Sequence, residues 1–131
     1  MNKLNLTARL LSGLVAIVAI GSGLGMMFNP AGLLDGLALT PEGVVGYSSL
    51  RGLIGGSQLA FGIIFAISAI RARADAILVG AIYFGAVVLG RLMGLTIDGV
   101  DPFAIRATVF AGVLMLVSFT AFVLFKKAAR V

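Results

Sequence analysis

The sequence predicts an all-α integral membrane protein, a four-helix bundle with antiparallel neighbours. Of its 131 residues, 60% are hydrophobic and only 11% are charged, whereas a soluble domain is about half apolar and a quarter charged. The apolar residues form runs of about 20 residues, each long enough to cross about 30 Å of hydrocarbon. These runs predict spans at about 10–28, 44–70, 76–95 and 103–125 of a single membrane domain, residues 1–131.

Proline-containing pairs predict where helices begin at one end of the bundle. In Asn29-Pro30, Thr40-Pro41 and Asp101-Pro102, a capping side chain precedes a proline, whose fixed φ and missing N–H suit the first helical turn. The first pair begins a short segment, the second is expected to lengthen span two beyond the bilayer, and the third to open span four.

The segment between spans one and two, residues 30–39, is too short to cross a membrane. It is predicted to be a short interfacial helix, because its leucines can share one apolar face. These leucines are Leu33, Leu34 and Leu37.

The later connections are short, a tight turn at 71–75 and the stretch 96–102, so consecutive helices are expected to be antiparallel neighbours. Basic residues flank the spans on one side only: Lys3, Arg9, Arg71, Arg73, Lys126, Lys127 and Arg130. The positive-inside rule therefore predicts that both termini and the 71–75 turn are cytoplasmic.

Four polar side chains converge on the outer leaflet in this orientation. Arg51 and Arg106 each lie 20 positions from the basic end of their span, about 30 Å away and thus at the outer boundary of the hydrocarbon. Gln58 and Arg91 lie about 10 Å and 7 Å inside that boundary. A lipid-exposed arginine at the depth of Arg91 is costly, so this side chain is expected to face the bundle interior.

Helical spacing groups these residues with small neighbours. One stripe of span two holds Arg51, Gly55, Gln58 and Gly62, and one stripe of span three holds Gly80, Phe84, Val87, Arg91 and Gly94, followed by Asp98. Small residues four positions apart favour close approach of membrane helices. The glycines expected at helix contacts are Gly21, Gly25, Gly52, Gly55, Gly56, Gly90 and Gly94.

The outer polar residues allow two interpretations. In the first, the arginines pair with nearby acids and fix the loops, with Asp35, Glu42 and Asp101 in pairing or capping roles. In the second, one or more arginines hold an anionic or carbonyl-bearing group, such as a lipid head group or a quinone. The ligand-binding candidates are Tyr47, Arg51, Gln58, Arg91, Asp98 and Arg106.

The sequence contains no His and no Cys. Zinc sites, disulfides and the commonest general base are therefore absent, and no cofactor and no enzymatic activity are expected. The net charge of +5 is not arranged as a basic stripe interleaved with aromatics, so no nucleic-acid partner is expected.

Three motifs carry a family resemblance: Phe28-Asn29-Pro30, R-G-x-x-G-G at Arg51–Gly56, and G-R-x-x-G-x-x-x-D-G at Gly90–Gly99. With them, the chain resembles the bacterial four-helix membrane proteins grouped as domain of unknown function 4345, which are similar to the DoxX-like proteins. The resemblance implies a four-helix membrane fold and importance of Arg51 and Arg91, and it implies no established activity.

Two functions are open at this stage. The first is a small membrane protein without catalytic activity, an accessory subunit or a lipid- or quinone-binding module, whose partners are membrane lipids, quinone, further copies of itself or a larger membrane complex. The alternative is a small-molecule transporter acting as an oligomer. The spans hold no Asp or Glu well inside the hydrocarbon, which disfavours proton-coupled export.

The predicted orientation can be tested with reporter fusions. A fusion at Val131 should report the cytoplasm and one within residues 96–102 the periplasm, because the basic clusters lie on one side. A periplasmic signal at Val131 would contradict the orientation and every depth that depends on it.

Overall fold

The computed structural model describes residues 2–37 and 39–130, and it contains helices and no strands in this range. The helices are α1 (Lys3–Phe28), α2 (Ala31–Leu34), α3 (Gly43–Ser49), α4 (Ser57–Arg71), α5 (Ala74–Ile97) and α6 (Pro102–Ala128). A 3₁₀ turn, Asp35–Leu37, follows α2, and a π-helical segment, Leu50–Gly56, joins α3 to α4.

Within the described residues, four helices are long and apolar enough to cross a membrane: Lys3–Phe28, Gly43–Arg71, Ala74–Ile97 and Pro102–Ala128. Large apolar side chains lie exposed along their outer faces, among them Ile17, Ile70 and Leu89. So much contiguous apolar surface is typical of a protein whose solvent is lipid. The predicted four-helix membrane fold is confirmed, and each helix extends a few residues beyond its predicted span.

The spanning helices form a ring of two tight pairs. The α1–α4 and α5–α6 contacts are the most extensive, α1 also packs against α6, and the α4–α5 contact is the least extensive of the four sides. Phe65, Ile77, Leu114 and Phe125 form the centre of the core. We call the end of the bundle that carries residues 29–42 and 98–101 the loop end.

The pair α1–α4 is held by direct backbone contact. A Cβ placed on Gly23 would lie 2.6 Å from Leu59 N, and one on Gly62 would lie 2.8 Å from Ile20 N. Gly55 faces the same helix, where a Cβ would meet Met27 N at 3.1 Å. Since only glycine allows this approach, these three residues set the spacing of the pair.

The predicted set of packing glycines was therefore mostly wrong for contacts within the chain. Gly55 is at a helix contact, but a Cβ on Gly21, Gly52 or Gly90 would meet nothing within 4 Å. Gly25 faces only the side chain of Leu33, and the nearest atoms to Gly56 and Gly94 belong to their own helices or the adjoining turn, namely Arg51 O and Asp98 Oδ2. A four-residue spacing identifies one face of a helix but not the face that meets a neighbour.

Two of the three predicted caps are present. Asp101 Oδ1 accepts from the backbone N–H groups of Phe103 at 2.8 Å and Ala104 at 3.2 Å, and Asn29 Oδ1 accepts from Gly32 N at 3.4 Å. Thr40 does not cap a helix, because Gly43 adopts a positive φ of 57° and α3 begins only there. Glu42 occupies the N-cap position without a side-chain capping bond.

The segment after α1 is helical as predicted, and its three leucines contact the bundle. Leu34 is buried, Leu33 covers Gly25 of α1, and Leu37 faces a cavity between the helices. The helix tightens from α to 3₁₀ geometry at Asp35. Ala38, within the predicted segment, lies outside the described residues.

The predicted tight turn joins α4 to α5 at the opposite end. Ala72 adopts the left-handed conformation with φ 54°, and Ser68 Oγ donates to Arg73 O at 2.7 Å. Arg73 also forms an ion pair with Asp75. The turn therefore holds the end of α4 next to the beginning of α5.

The glycine contacts yield a stability prediction. Gly62→Ala should lower the free energy of unfolding by about 1–3 kcal/mol, because the added methyl overlaps the α1 backbone. Gly112→Ala is the matched control: nothing lies within 4 Å of its Cβ position, and alanine is the better helix former. Unfolding titrations in mixed micelles measure both, and equal stability of the two variants would contradict the assigned contact.

Candidate ligand-binding cavity

A cavity of about 790 Å³ lies between the helices toward the loop end. All the spanning helices line it, and Gly36, Leu37 and Leu39 of the connecting segment contribute from the loop end. The volume falls in the range of about 300–1,000 Å³ that is usual for small-molecule sites. The cavity is partly open to the outside.

Polar side chains from three different helices meet in this cavity. Gln58 comes from α4, Arg91 from α5 and Arg106 from α6. Gln58 and Arg91 are half-buried and Arg106 is exposed at the rim. The predicted convergence of Gln58, Arg91 and Arg106 on one end of the bundle is present.

The deeper part of the cavity is apolar. Leu114 lies eight residues beyond Arg106, or about 12 Å further from the loop end, and Phe84 lies seven residues before Arg91, or about 10 Å further. Val87 and Ala111 complete the apolar wall between these levels. The cavity therefore has cationic groups at one end and hydrocarbon at the other.

The lining carries two positive charges and, within residues 2–37 and 39–130, no acidic side chain. The single ion pair found in that part of the chain is Arg73–Asp75, at the far end of the bundle. The first interpretation, in which the loop-end arginines pair with nearby acids, is therefore not observed: Asp35, Glu42, Asp98 and Asp101 form no ion pair with a described residue. Asp101 is used to cap α6, and the other three carboxylates are exposed without an arginine partner among the described residues.

Arg51 has a different role from the one predicted. Its guanidinium donates to Met27 O in the last turn of α1, and it does not line the cavity. A positive group at a helix C-terminus satisfies free carbonyls and interacts favourably with the helix dipole. Arg51 shares this α1-facing side with Gly55, whose Cβ position also meets Met27, while Gln58 lines the cavity.

Two further candidates lie elsewhere, and most lining residues, Tyr83 among them, were not candidates. Tyr47 and Asp98 are exposed and do not line the cavity. Tyr83 does line it, with its ring packed against Phe61 at a centroid distance of 4.3 Å. Tyr83 is four positions before Val87 on the face of α5 that leads to Arg91, and this spacing could have identified it.

The arrangement can bind an elongated molecule whose polar end accepts hydrogen bonds. Arginine offers donors in a planar fork that matches carboxylate and phosphate groups, the Gln58 amide can donate or accept, and the apolar wall suits a hydrocarbon chain.

Comparison with known proteins identifies the family of the chain. No curated protein and no solved structure matches it. The sequence matches one family over residues 7–124, which include every helix that lines the cavity. The chain therefore belongs to the family described as Domain of unknown function (DUF4345).

Proposed function

We propose that this membrane protein binds an amphiphile with an anionic head group, without chemically converting it. The observation that carries the proposal is the cavity into which Arg91 and Arg106 project with no carboxylate in its described lining. In this proposal the protein resides in the bacterial inner membrane with both termini in the cytoplasm, and it serves as a binding module or accessory subunit.

Electrostatics supports an anion rather than a neutral ligand. An arginine in a membrane helix costs about 2.5–3.5 kcal/mol on insertion scales when placed at the centre, and less toward the ends. A carboxylate or phosphate between the two guanidinium groups would offset this cost through charge-assisted hydrogen bonds. A quinone carbonyl would accept a hydrogen bond but would leave both positive charges uncompensated.

The ligand's apolar part is supported by the wall of the cavity. Phe84, Val87 and Leu114 extend about 10 Å or more from the arginines toward the core. Water-soluble anions such as inorganic phosphate would leave this surface unfilled, whereas a hydrocarbon chain would bury it at about 25 cal/mol per Å².

A matched pair of ligands tests the proposal. In phosphatidylcholine nanodiscs, oleate should raise the unfolding temperature and methyl oleate should not, because the two share a chain and differ in head-group charge. Arg91→Gln combined with Arg106→Gln should weaken oleate binding at least tenfold, since hydrogen bonds to charged groups contribute about 1.5–3 kcal/mol each.

Arg51→Gln is the control variant. It removes one positive charge near the same end of the bundle but from outside the cavity, so it should lower stability while leaving the affinity for oleate unchanged. Equal stabilisation by methyl oleate and oleate would contradict the anionic head group. If decylubiquinone stabilises the protein and oleate does not, the ligand is one with a carbonyl group and not one with an anionic head group.

A further inference from the structure

The α4–α5 side of the bundle is packed only near the turn that joins the two helices. Its aromatic contacts are Phe61–Tyr83, with ring centroids 4.3 Å apart, and Phe65–Phe84 at 6.2 Å. The π-helical segment and α3 make no extensive contact with α5. From Tyr83 toward the loop end, the two helices therefore separate.

Glycine on α5 marks the separation. Gly90 and Gly94 continue the face of Tyr83 and Val87, which have the three-and-four spacing of one helical stripe. A Cβ on Gly90 would meet nothing within 4 Å, and one on Gly94 would meet only Asp98 Oδ2, at 3.6 Å. At this level the π-helical segment and α3 do not cover the face that α4 touches at Tyr83.

The other sides of the bundle are more extensively packed than the α4–α5 side. Gly85 faces Met115 of α6, whose Sδ would be 3.5 Å from a Cβ on the glycine. Nearer the loop end, Leu33 lies over Gly25 of α1, three residues beyond the lining residue Ser22. Ile54 and Val87 line the cavity from the two sides of this loosely packed face, and Gly90, three residues beyond Val87, is exposed. We call the space between Ile54 and Gly90 the lateral gap.

We propose that the ligand is a bilayer lipid or fatty acid that reaches the cavity sideways through the lateral gap. Its anionic head lies against Arg91 and Arg106, and its chain lies between α4 and α5, in contact with the membrane. This inference rests on the proposed function and adds the source of the ligand and its route. A charged head drawn from the outer region of the bilayer can reach Arg91 beside the Gly90 backbone without crossing the packed core.

Tryptophan fluorescence tests the route, because the chain contains no Trp. Gly90→Trp places the only indole in the lateral gap, and Gly112→Trp places it at an equally open position on α6 away from the cavity. In unbrominated phosphatidylcholine nanodiscs, a small mole fraction of dibromostearate should quench most of the Gly90→Trp emission with saturation. Quenching of Gly112→Trp should be weak and proportional to the dibromostearate content.

The remaining arms separate this inference from the proposed function. Adding Arg91→Gln and Arg106→Gln to Gly90→Trp should abolish the saturable quenching. If dibromostearate raises the unfolding temperature of Gly90→Trp but does not quench it, the cavity binds the anion and the lateral route is wrong. Saturable quenching of Phe110→Trp without quenching of Gly90→Trp would overturn the α4–α5 route and move it to the face of α6 that carries the exposed lining residue Phe110.

The source of the ligand is tested with inorganic phosphate alone. If phosphate stabilises the protein as much as dibromostearate does, the ligand comes from water and the inference fails. If dibromostearate gives neither a thermal shift nor quenching in the Gly90→Trp and Gly112→Trp proteins, both the inference and the proposed function fail. Thermal unfolding without ligand confirms that each tryptophan variant is folded.

Discussion

The contact between the backbones of α1 and α4 determines much of the arrangement of the bundle. Gly23 and Gly62 bring these helices closer than any side chain would permit. Helix pairs in a membrane gain little from hydrophobic association, so close packing must supply their stability. Because α1 and α4 form one tight pair and α5 and α6 the other, the remaining contacts are between pairs, and space inside the bundle opens where the pairs diverge.

The cavity combines this geometry with the placement of charge. The turn at Ala72 joins the pairs at one end, so their separation grows toward the other, where Arg91 and Arg106 lie. Acidic residues at the same end serve as a helix cap or lie exposed. The arrangement leaves positive potential inside a site with apolar walls, where water screens charge less than it does at a surface.

Features that depend on local chemistry were predictable from the sequence. The length of the spans follows from the apolar runs, and the caps at Asn29 and Asp101 follow from the type of side chain. The common level of Gln58, Arg91 and Arg106 follows from the helical rise and the short connections. The helix contacts could not be predicted in this way. The 18 glycines form many equivalent stripes, and the angles at which the helices cross decide which stripe meets a neighbour. The role of Arg51 was not predictable, because helical spacing groups it with Gln58 as well as with the α1-facing Gly55. The missing cap at Thr40 was not predictable either, because α3 begins only at Gly43, where φ is positive.

The π-helical segment also gives the second spanning helix a tolerance that the others lack. Deleting one residue from an α-helix rotates everything on one side of the deletion by about 100°, which would turn core positions of α1, α5 or α6 toward lipid. Between Leu50 and Gly56 the wider turns already hold an extra residue. A single-residue deletion there can be absorbed by tightening to α-helical geometry, so in this family length variation should be tolerated at that segment before any other part of a spanning helix.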